Sequence, residues 1–320
     1  MTVLQDLAST TPSRDCLLTI GVFDGVHLGH QHLVGMLAAE ARKRGLAACV
    51  VTFRNHPRTV LQPGARVPMI SSFDERVELL RKAGADHVVP LTFIKELSLL
   101  TAREFVVALR QQLRMRGMVV GPDFAMGHGR EGTVPVLQKL GAELGFTIQV
   151  LEPVTQAAGV VSSSAVRQAL EEGNVAGARR MLGRDFALTG RVVHGFHRGR
   201  ELGFPTANLD TGPDRAVPAN GIYATWARVD GARHMAATSI GVRPTFDNGP
   251  RSVEAYLLDF SGDLYGKEMT LEFIERQRDE LRFDGVDTLV AQIKRDVQHV
   301  RERLGKAAHS AGPRKGRSEP

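Results

Sequence analysis

Apolar and polar positions follow two rhythms along the chain. In the first half, short apolar runs alternate with stretches of helical spacing. Leu17 to Phe23 is an apolar run of the kind that predicts a buried strand. His30 to Arg44 then sets Leu33, Val34, Leu37, Ala38 and Ala41 on one helical face, with Gly45 to close it. Ala47 to Phe53 predicts the next strand. Ser72 with Glu75 forms a capping-box pattern opening a helix over Phe73 to Lys82, and Thr101 with Glu104 opens another to about Arg114. Met118 to Gly121 and Phe146 to Leu151 predict further strands, with a helix from about Val134 to Leu144 between them. Strand, helix, strand in repetition predicts an α/β doubly wound parallel sheet covered on both faces.

The rhythm changes after the helical stretch Asn174 to Leu182, which Gly183 ends. Strands now follow one another: Gly190 to His194, Ile222 to Val229, Arg233 to Ile240, Val253 to Phe260 and Met269 to Ile274. Asp230-Gly231 between two of them is a tight hairpin signal. A long helix from about Thr288 to Leu304 comes last, with the stripe Leu289, Ile293, Val297, Val300 and Leu304. The pattern predicts a small antiparallel β-barrel with a terminal helix. The expected division is residues 1–186, residues 187–304, and a basic tail over 305–320 that does not fold.

Composition narrows the class. At roughly 150 residues per domain, 320 residues suggest about two domains. Hydrophobic residues make up 42% and charged residues 24%, which excludes a disordered or collagen-like chain. No apolar run approaches the ~20 residues of a membrane span, and no basic segment followed by an apolar run opens the chain. Cys16 and Cys49 form no CxxC or disulfide pattern, so a reducing cytoplasm is the expected location. The net charge of +6 invites a nucleic-acid reading, but the tail alone carries a net +3 through Lys306, Arg314, Lys315 and Arg317 against Glu319. With only 3 Tyr and 1 Trp for stacking, neither a nucleic-acid nor a membrane partner is expected.

The candidate chemistry begins where the first strand turns into the first helix, at Gly21-Val-Phe-Asp-Gly-Val-His-Leu-Gly-His30. The carboxyl edge of a parallel sheet is where such folds bind ligands, and a helix amino end offers unpaired N–H groups to a phosphate. His27 lies in the turn and His30 in the first helical turn, so both imidazoles are placed to face one anion. Val161-Ser-Ser-Ser-Ala-Val-Arg167 opens a short helix whose hydroxyls suit capping or phosphate, with Arg167 one turn in. Asn55-His56-Pro57-Arg58 follows a strand at the same edge. Gly127-His-Gly129-Arg-Glu-Gly132 matches G-x-G-x-x-G, but Gly127 does not follow its strand at once, so the segment reads as a ligand loop and not as a dinucleotide fingerprint.

In the second half, Gly195-Phe-His-Arg-Gly-Arg-Glu-Leu-Gly203 is a basic, glycine-rich loop, followed by Phe204-Pro-Thr-Ala-Asn208. In extended chain Thr206 and Asn208 point the same way, and their oxygens suit a hard cation such as Mg²⁺ carried by ATP phosphates. Glu254 stands in an otherwise apolar strand, opposite in facing to Val253 and Ala255. An acid so placed suits proton abstraction from an attacking hydroxyl.

The stretch around His27 resembles the HxGH signature of nucleotidyltransferases. Taken in order, GVFDGVHLGH, NHPR, GPDFAMGHGREG, VSSSAVR, GRELGFPTANL, GVRPTF and the Glu254 strand resemble the bacterial bifunctional riboflavin kinase/FMN adenylyltransferase (FAD synthetase) family from about Leu17 to Leu304. The resemblance implies two ATP-dependent steps: the second domain phosphorylates riboflavin to FMN, and the first transfers AMP from ATP to FMN, giving FAD and pyrophosphate. It implies His27 and His30 for adenylyl transfer, with Gly21, Phe23, Asp24, Gly29, Ser163, Ser164 and Arg167 on ATP. It implies His56, Arg58 and Asp123 on the flavin side, Thr206 and Asn208 on the Mg²⁺ of ATP, and Glu254 as the kinase base. Departures from the family pattern are Ala125-Met126 in place of an aromatic-containing run, Asn55 for Pro, Ser164 for Thr and Ser239 for Asn.

Overall fold

The computed structural model describes residues 7, 10–152, 155–156, 159–195, 199, 202–242 and 251–310. The chain divides into two packed units between Ala165 and Val166.

The first unit is built on β1 (Cys16–Gly21), β2 (Ala47–Phe53), β3 (His87–Leu91), β4 (Met115–Val120) and, beyond a small hairpin of β5 (Ala125–Met126) and β6 (Gly132–Thr133), β7 (Thr147–Val150). All five long strands are parallel, in the order β3-β2-β1-β4-β7. β2 is buried at every residue, as expected of a central parallel strand covered on both faces. Alternation divides its core. Leu18, Cys49 and Val51 pack with Phe105 and Leu109, whereas Leu17, Ala48 and Val50 pack with Val34, Leu37 and Leu80. The covering helices are α1 (Leu28–Lys43), the short α2 (Pro57–Leu61), α3 (Phe73–Lys82), the short α4 (Lys95–Leu99), α5 (Ala102–Leu113) and α6 (Val134–Leu144). Both capping boxes form: the Ser72 and Thr101 hydroxyls accept from the backbone N–H groups of Glu75 and Glu104, whose carboxylates reach back. Cys16 and Cys49 are buried free thiols.

The order in which strands are added reverses beside β1: the chain builds β2 and β3 on one side and β4 and β7 on the other. The crevice at the carboxyl ends of β1 and β4 is therefore the switch point, where a doubly wound sheet binds its ligand.

Past a two-residue antiparallel pair, β8 (Thr155–Gln156) with β9 (Gly159–Val160), come α7 (Ser163–Glu171) and α8 (Val175–Leu182). The second unit then closes a six-stranded barrel of β10 (Phe186–Val193), β11 (Ala207–Asp210), β12 (Gly221–Val229), β13 (Ala232–Val242), β14 (Arg251–Leu257) and β15 (Glu268–Arg278), ordered β10-β11-β14-β13-β12-β15. The texture of the sequence changes near Asp185, but the packing divides earlier, because α8 lies on the barrel. The N–H of Ala219 also donates to the Leu170 carbonyl at 2.8 Å. Asp230 and Gly231 both take positive φ, 51° and 77°, and join β12 to β13 as the hairpin signal predicts.

Side chains alternate cleanly through the barrel wall. Tyr223, Ala255 and Phe273 point inward and are fully buried. Ala224, Trp226, Ala237 and Tyr256 point outward, toward α9 (Val286–Ser310). That helix runs six residues past the expected end at Leu304, so 305–310 are helical; residues 311–320 of the tail lie outside the described residues. Its stripe divides. Val300 and Leu304 are buried on the barrel, whereas Leu289, Ile293 and Val297 line a cavity.

Candidate active sites

The first site is the turn from β1 into α1. Phe23, Gly25 and Val26 all have positive φ, at 52°, 74° and 39°. Such a backbone is uncommon for Phe and a genuine outlier for β-branched Val, and strain of this kind costs on the order of 1–3 kcal/mol per residue. The surroundings hold it. Asp24 is buried, and its carboxylate accepts from the N–H of Ile70 at 2.9 Å and of Ser71 at 3.1 Å. Its carboxylate thus holds the backbone of Ile70 and Ser71 against the turn. Phe23 likewise packs its ring in the core, and Gly21 leaves room for that ring, since an added Cβ would lie 3.0 Å from it.

The histidines are placed as expected. His27 is the N-cap of α1, and its Nδ1 accepts the N–H of His30 at 3.4 Å. In the neutral ring that leaves the proton on Nε2, facing away from the cap. The His27 and His30 rings stack at 3.6 Å, and Phe23 meets His30 edge-on at 5.0 Å. Burial first, then the charges of His27 and Arg76, hold the His30 imidazole well below its ordinary range, so it is neutral near pH 7. Its Nδ1 is buried without a hydrogen-bond partner. Gly29 lies close under the His27 ring, where an added Cβ would sit 3.1 Å from it.

A second helix start meets this turn. The Ser163 hydroxyl donates to the Asp24 carbonyl at 2.9 Å. Ser162 caps α7, accepting the N–H of Ala165 at 3.2 Å, and Ser164 is exposed. Arg167 stands one turn further along α7, past the division between the units.

Asp123 is exposed just past the carboxyl end of β4, beside β1 at the switch point. His56 follows β2 and caps α2, accepting the Arg58 N–H on Nδ1 at 3.1 Å. Arg58 is exposed and donates to Gln62 at 2.9 Å. Asn55 grips the backbone of Phe93 twice, both at 2.8 Å, a structural role for one of the departures. The Gly127–Gly132 segment is the β5–β6 hairpin loop around a 3₁₀ turn, not a strand-to-helix turn. It docks on the start of α5, where Glu131 accepts the Ala102 N–H at 2.8 Å.

Sequence reasoning missed Arg76. It is buried in α3 and donates to the Val22 carbonyl at 2.6 Å. The signal was present: Phe73, Arg76, Val77 and Leu80 share one helical face, and a charge interrupts the apolar stripe.

The second site lies on the outer wall of the barrel. Asn208 and Glu254 are directly paired across β11 and β14, and Ser239 is paired with Glu254 on its other side. The Thr206 hydroxyl donates to a Glu254 oxygen at 3.3 Å. Gly195 approaches so closely that an added Cβ would lie 2.2 Å from the Asn208 amide nitrogen, so a glycine-rich loop borders these oxygens. Residues 196–198 and 200–201 of that loop, and 243–246 of the GVRPTF motif, lie outside the described residues. Thr206, Ser239 and Glu254 open into a cavity of about 330 Å³ whose apolar side is Tyr256 and the Leu289–Val297 stretch of α9. Arg278 of β15 is held there by Asp296 of α9, through contacts at 2.9 Å and 2.5 Å. Among the described residues no cluster of three or more His, Cys, Asp or Glu forms a metal site. The hydroxyl and amide oxygens of Thr206 and Asn208 fit instead a hard cation that arrives with its own phosphates.

Fold and sites together define a two-unit, nucleotide-using transferase. The family model described as FAD synthetase matches residues 9–165, and the model described as riboflavin kinase matches residues 182–304. The bifunctional riboflavin kinase/FMN adenylyltransferase of Escherichia coli (strain K12) is 38% identical over 299 residues, 93% of this chain and 95% of that protein. That of Pseudomonas fluorescens is 37% identical over 318 residues, 97% of this chain and all (100%) of that protein. A crystal structure described as a macrolide-efflux protein from Streptococcus pneumoniae has a TM-score of 0.85 at 32% identity, covering 92% of this chain and 96% of that one. No described helix of this chain is long and apolar enough to cross a membrane. The chain belongs to the bifunctional riboflavin kinase/FMN adenylyltransferase family.

Proposed function

We propose that the two steps of this family are made on separate units of this chain, adenylyl transfer on residues 1–165 with the start of α7 and riboflavin phosphorylation on the barrel. The chain uses ATP to phosphorylate riboflavin to FMN, then transfers AMP from ATP to FMN, giving FAD and releasing pyrophosphate.

In the first unit, His27 and the neutral His30 donate N–H groups to phosphoryl oxygens of ATP, where negative charge grows as the FMN phosphate attacks the α-phosphorus. Gly29 keeps the His27 ring in place, and the amino ends of α1 and α7, with Ser163, Ser164 and Arg167, hold the polyphosphate. His56, Arg58 and Asp123, on the loops after β2 and β4, are the proposed flavin-side residues. This chemistry needs positioning and charge stabilisation and no covalent enzyme intermediate.

In the second unit, the cavity between barrel and α9 offers an apolar wall for the flavin ring, with Glu254 at its polar end. Glu254 takes the ribityl proton as that hydroxyl attacks the γ-phosphorus and ADP leaves. Thr206 and Asn208 would hold the divalent ion of ATP, proposed to be Mg²⁺, which neutralises phosphate charge when bound. The buried free thiols fit a reducing compartment, and the proposed location is the cytoplasm.

The observation that carries the reading is the convergence of Thr206 and Glu254 on one cavity wall, with Asn208 paired to Glu254 across the strands, in a chain that also stacks His27 on His30. The test is product analysis by chromatography after incubating the protein with riboflavin, ATP and Mg²⁺. FMN should appear first and FAD after it. FAD without FMN, or neither product, would refute the reading.

A further inference from the structure

Arg76 is among the largest side chains the fold buries completely. It stands in the apolar stripe of α3, with its guanidinium 5.5 Å from the Phe73 ring. Its Nη1 donates to the Val22 carbonyl at 2.6 Å, an oxygen the Thr52 hydroxyl also reaches at 3.0 Å. Its Nε is buried without a partner. Val22 is the residue that joins β1 to the Phe23–His30 turn. Burying a cation is costly, and a well-packed apolar side chain of similar volume is often as good or better for stability. What an apolar residue lacks is the donor on Val22 and a positive charge beside the turn.

We propose that Arg76 is a positioning residue for adenylyl transfer: it clamps Val22 from inside the unit and so fixes the turn that presents His27 and His30. The proposal rests on the adenylyl-transfer reading of that turn. The charge has a second effect. His30 is faced by the stacked His27 ring, the edge of Phe23 and the Arg76 cation, while the Asp24 carboxylate favours the charge on Arg76. Behind burial and His27, Arg76 helps to hold His30 unprotonated. Without that cation, His30 takes up its proton at higher pH.

The test uses the full chain and paired assays on one sample: FAD from supplied FMN across pH, and FMN from riboflavin. Arg76→Met should lower kcat for FAD by about tenfold or more and leave both KM values within about threefold. It should also move the acid limb of the pH profile to higher pH. FMN formation should stay near the wild-type rate. Arg76→Lys keeps a cation and a donor, and should return the acid limb to its wild-type position with most of kcat. Should Arg76→Met not fold, Arg76→Gln carries the test, since it keeps a donor and removes the charge; the same upward shift is expected. An acid limb that stays in place in the neutral variant overturns the proposal, because a merely structural loss lowers the rate without moving the limb. Imidazole NMR titration of His30 reads the same shift without turnover. A wild-type chain that made no FAD would refute the adenylyl-transfer reading, whereas a wild-type chain that makes FAD with an Arg76→Met acid limb unmoved would refute the role of Arg76 alone.

Discussion

Thr206 donates its hydroxyl to the carboxylate of Glu254 at 3.3 Å, across 48 positions of sequence. Glu254 is the β14 partner of Asn208 in β11, and Thr206 stands just before β11, two positions from Asn208. The proposed base and the proposed oxygen ligands thus lie together at one seam of a closed barrel. Asn208 and Glu254 are held by the strand register, and Thr206 leads directly into β11.

Glu254→Gln keeps the size of the side chain and its acceptor for Thr206 but removes the base. A positioned base contributes about 10² to 10⁴ in rate. FMN formation should fall by at least about 10² while riboflavin still binds, and FAD made from supplied FMN should continue. Paired steady-state assays with calorimetric binding check it. Near-normal kinase turnover would leave Glu254 as a half-buried strand carboxylate with no catalytic part.

His30→Ala should slow FAD formation by roughly 10² to 10³, the size of one lost transition-state hydrogen bond, and spare FMN formation. If both activities fall together in the same sample, the residue is structural.

The lowered pKa of His30 also bears on stability. Burial, His27 and Arg76 hold it below the ordinary 6.5. Above about pH 6.5 the imidazole is neutral both folded and unfolded. Below that, the unfolded chain takes the proton first, so stability is lost as pH falls toward the folded value. Thermal unfolding midpoints between about pH 7.5 and pH 5 should therefore drop more in wild type than in His30→Gln. Equal slopes would show that His30 titrates normally in the folded chain.

Gly29→Ala tests the turn by shape alone. The new Cβ would lie 3.1 Å from Cε1 and 3.2 Å from Nδ1 of His27, so the ring must yield by a few tenths of an ångström. Ala is the better helix former, which offsets some strain. Melting temperature should change little while FAD formation falls. Unchanged FAD formation would mean that the His27 ring position is not critical.

Local signals made much of this fold legible. Ala47–Phe53, Phe73–Lys82 and Val134–Leu144 could be read to the residue, because a continuous apolar run, a capping box and a closing glycine are local physics. Elements ruled by distant partners were not legible. β3 holds Pro90 and passes as a loop, yet it is the edge strand, where a missing donor is tolerated. β11 looks like a turn because Asn208 and Asp210 are poor strand formers, yet it closes the barrel between β10 and β14. The same limit governs the sites. The H-x-G-H spacing reveals two histidines on one helix start. It does not reveal that Asp24 serves Ile70 and Ser71, 46 and 47 positions away, or that Arg76 reaches back to Val22.

The last prediction concerns where the kinase unit begins. The change of texture near Asp185 suggests a fragment starting at Ala187. The packing argues otherwise. Val166, Leu170, Val175, Ala178 and Leu182 are all buried, the Leu170 carbonyl accepts from Ala219, and Gly173 sits under Arg276, with an added Cβ only 2.7 Å from that side chain. Fully burying each large aliphatic side chain is worth about 1.5–3 kcal/mol, so removing α7 and α8 takes away a large part of a stability that is only ~5–15 kcal/mol for a domain. Residues 166–310 alone should therefore unfold cooperatively and convert riboflavin to FMN, whereas residues 187–310 should be poorly folded and nearly inactive. Circular dichroism melts and the FMN assay on the two fragments decide it. The complementary fragment, residues 1–165, keeps His27, His30 and Ser163 but loses Arg167. If Arg167 meets the polyphosphate as proposed, that fragment should need far more ATP to make FAD than residues 1–182 do. Equal KM values for ATP in those two would remove Arg167 from the site.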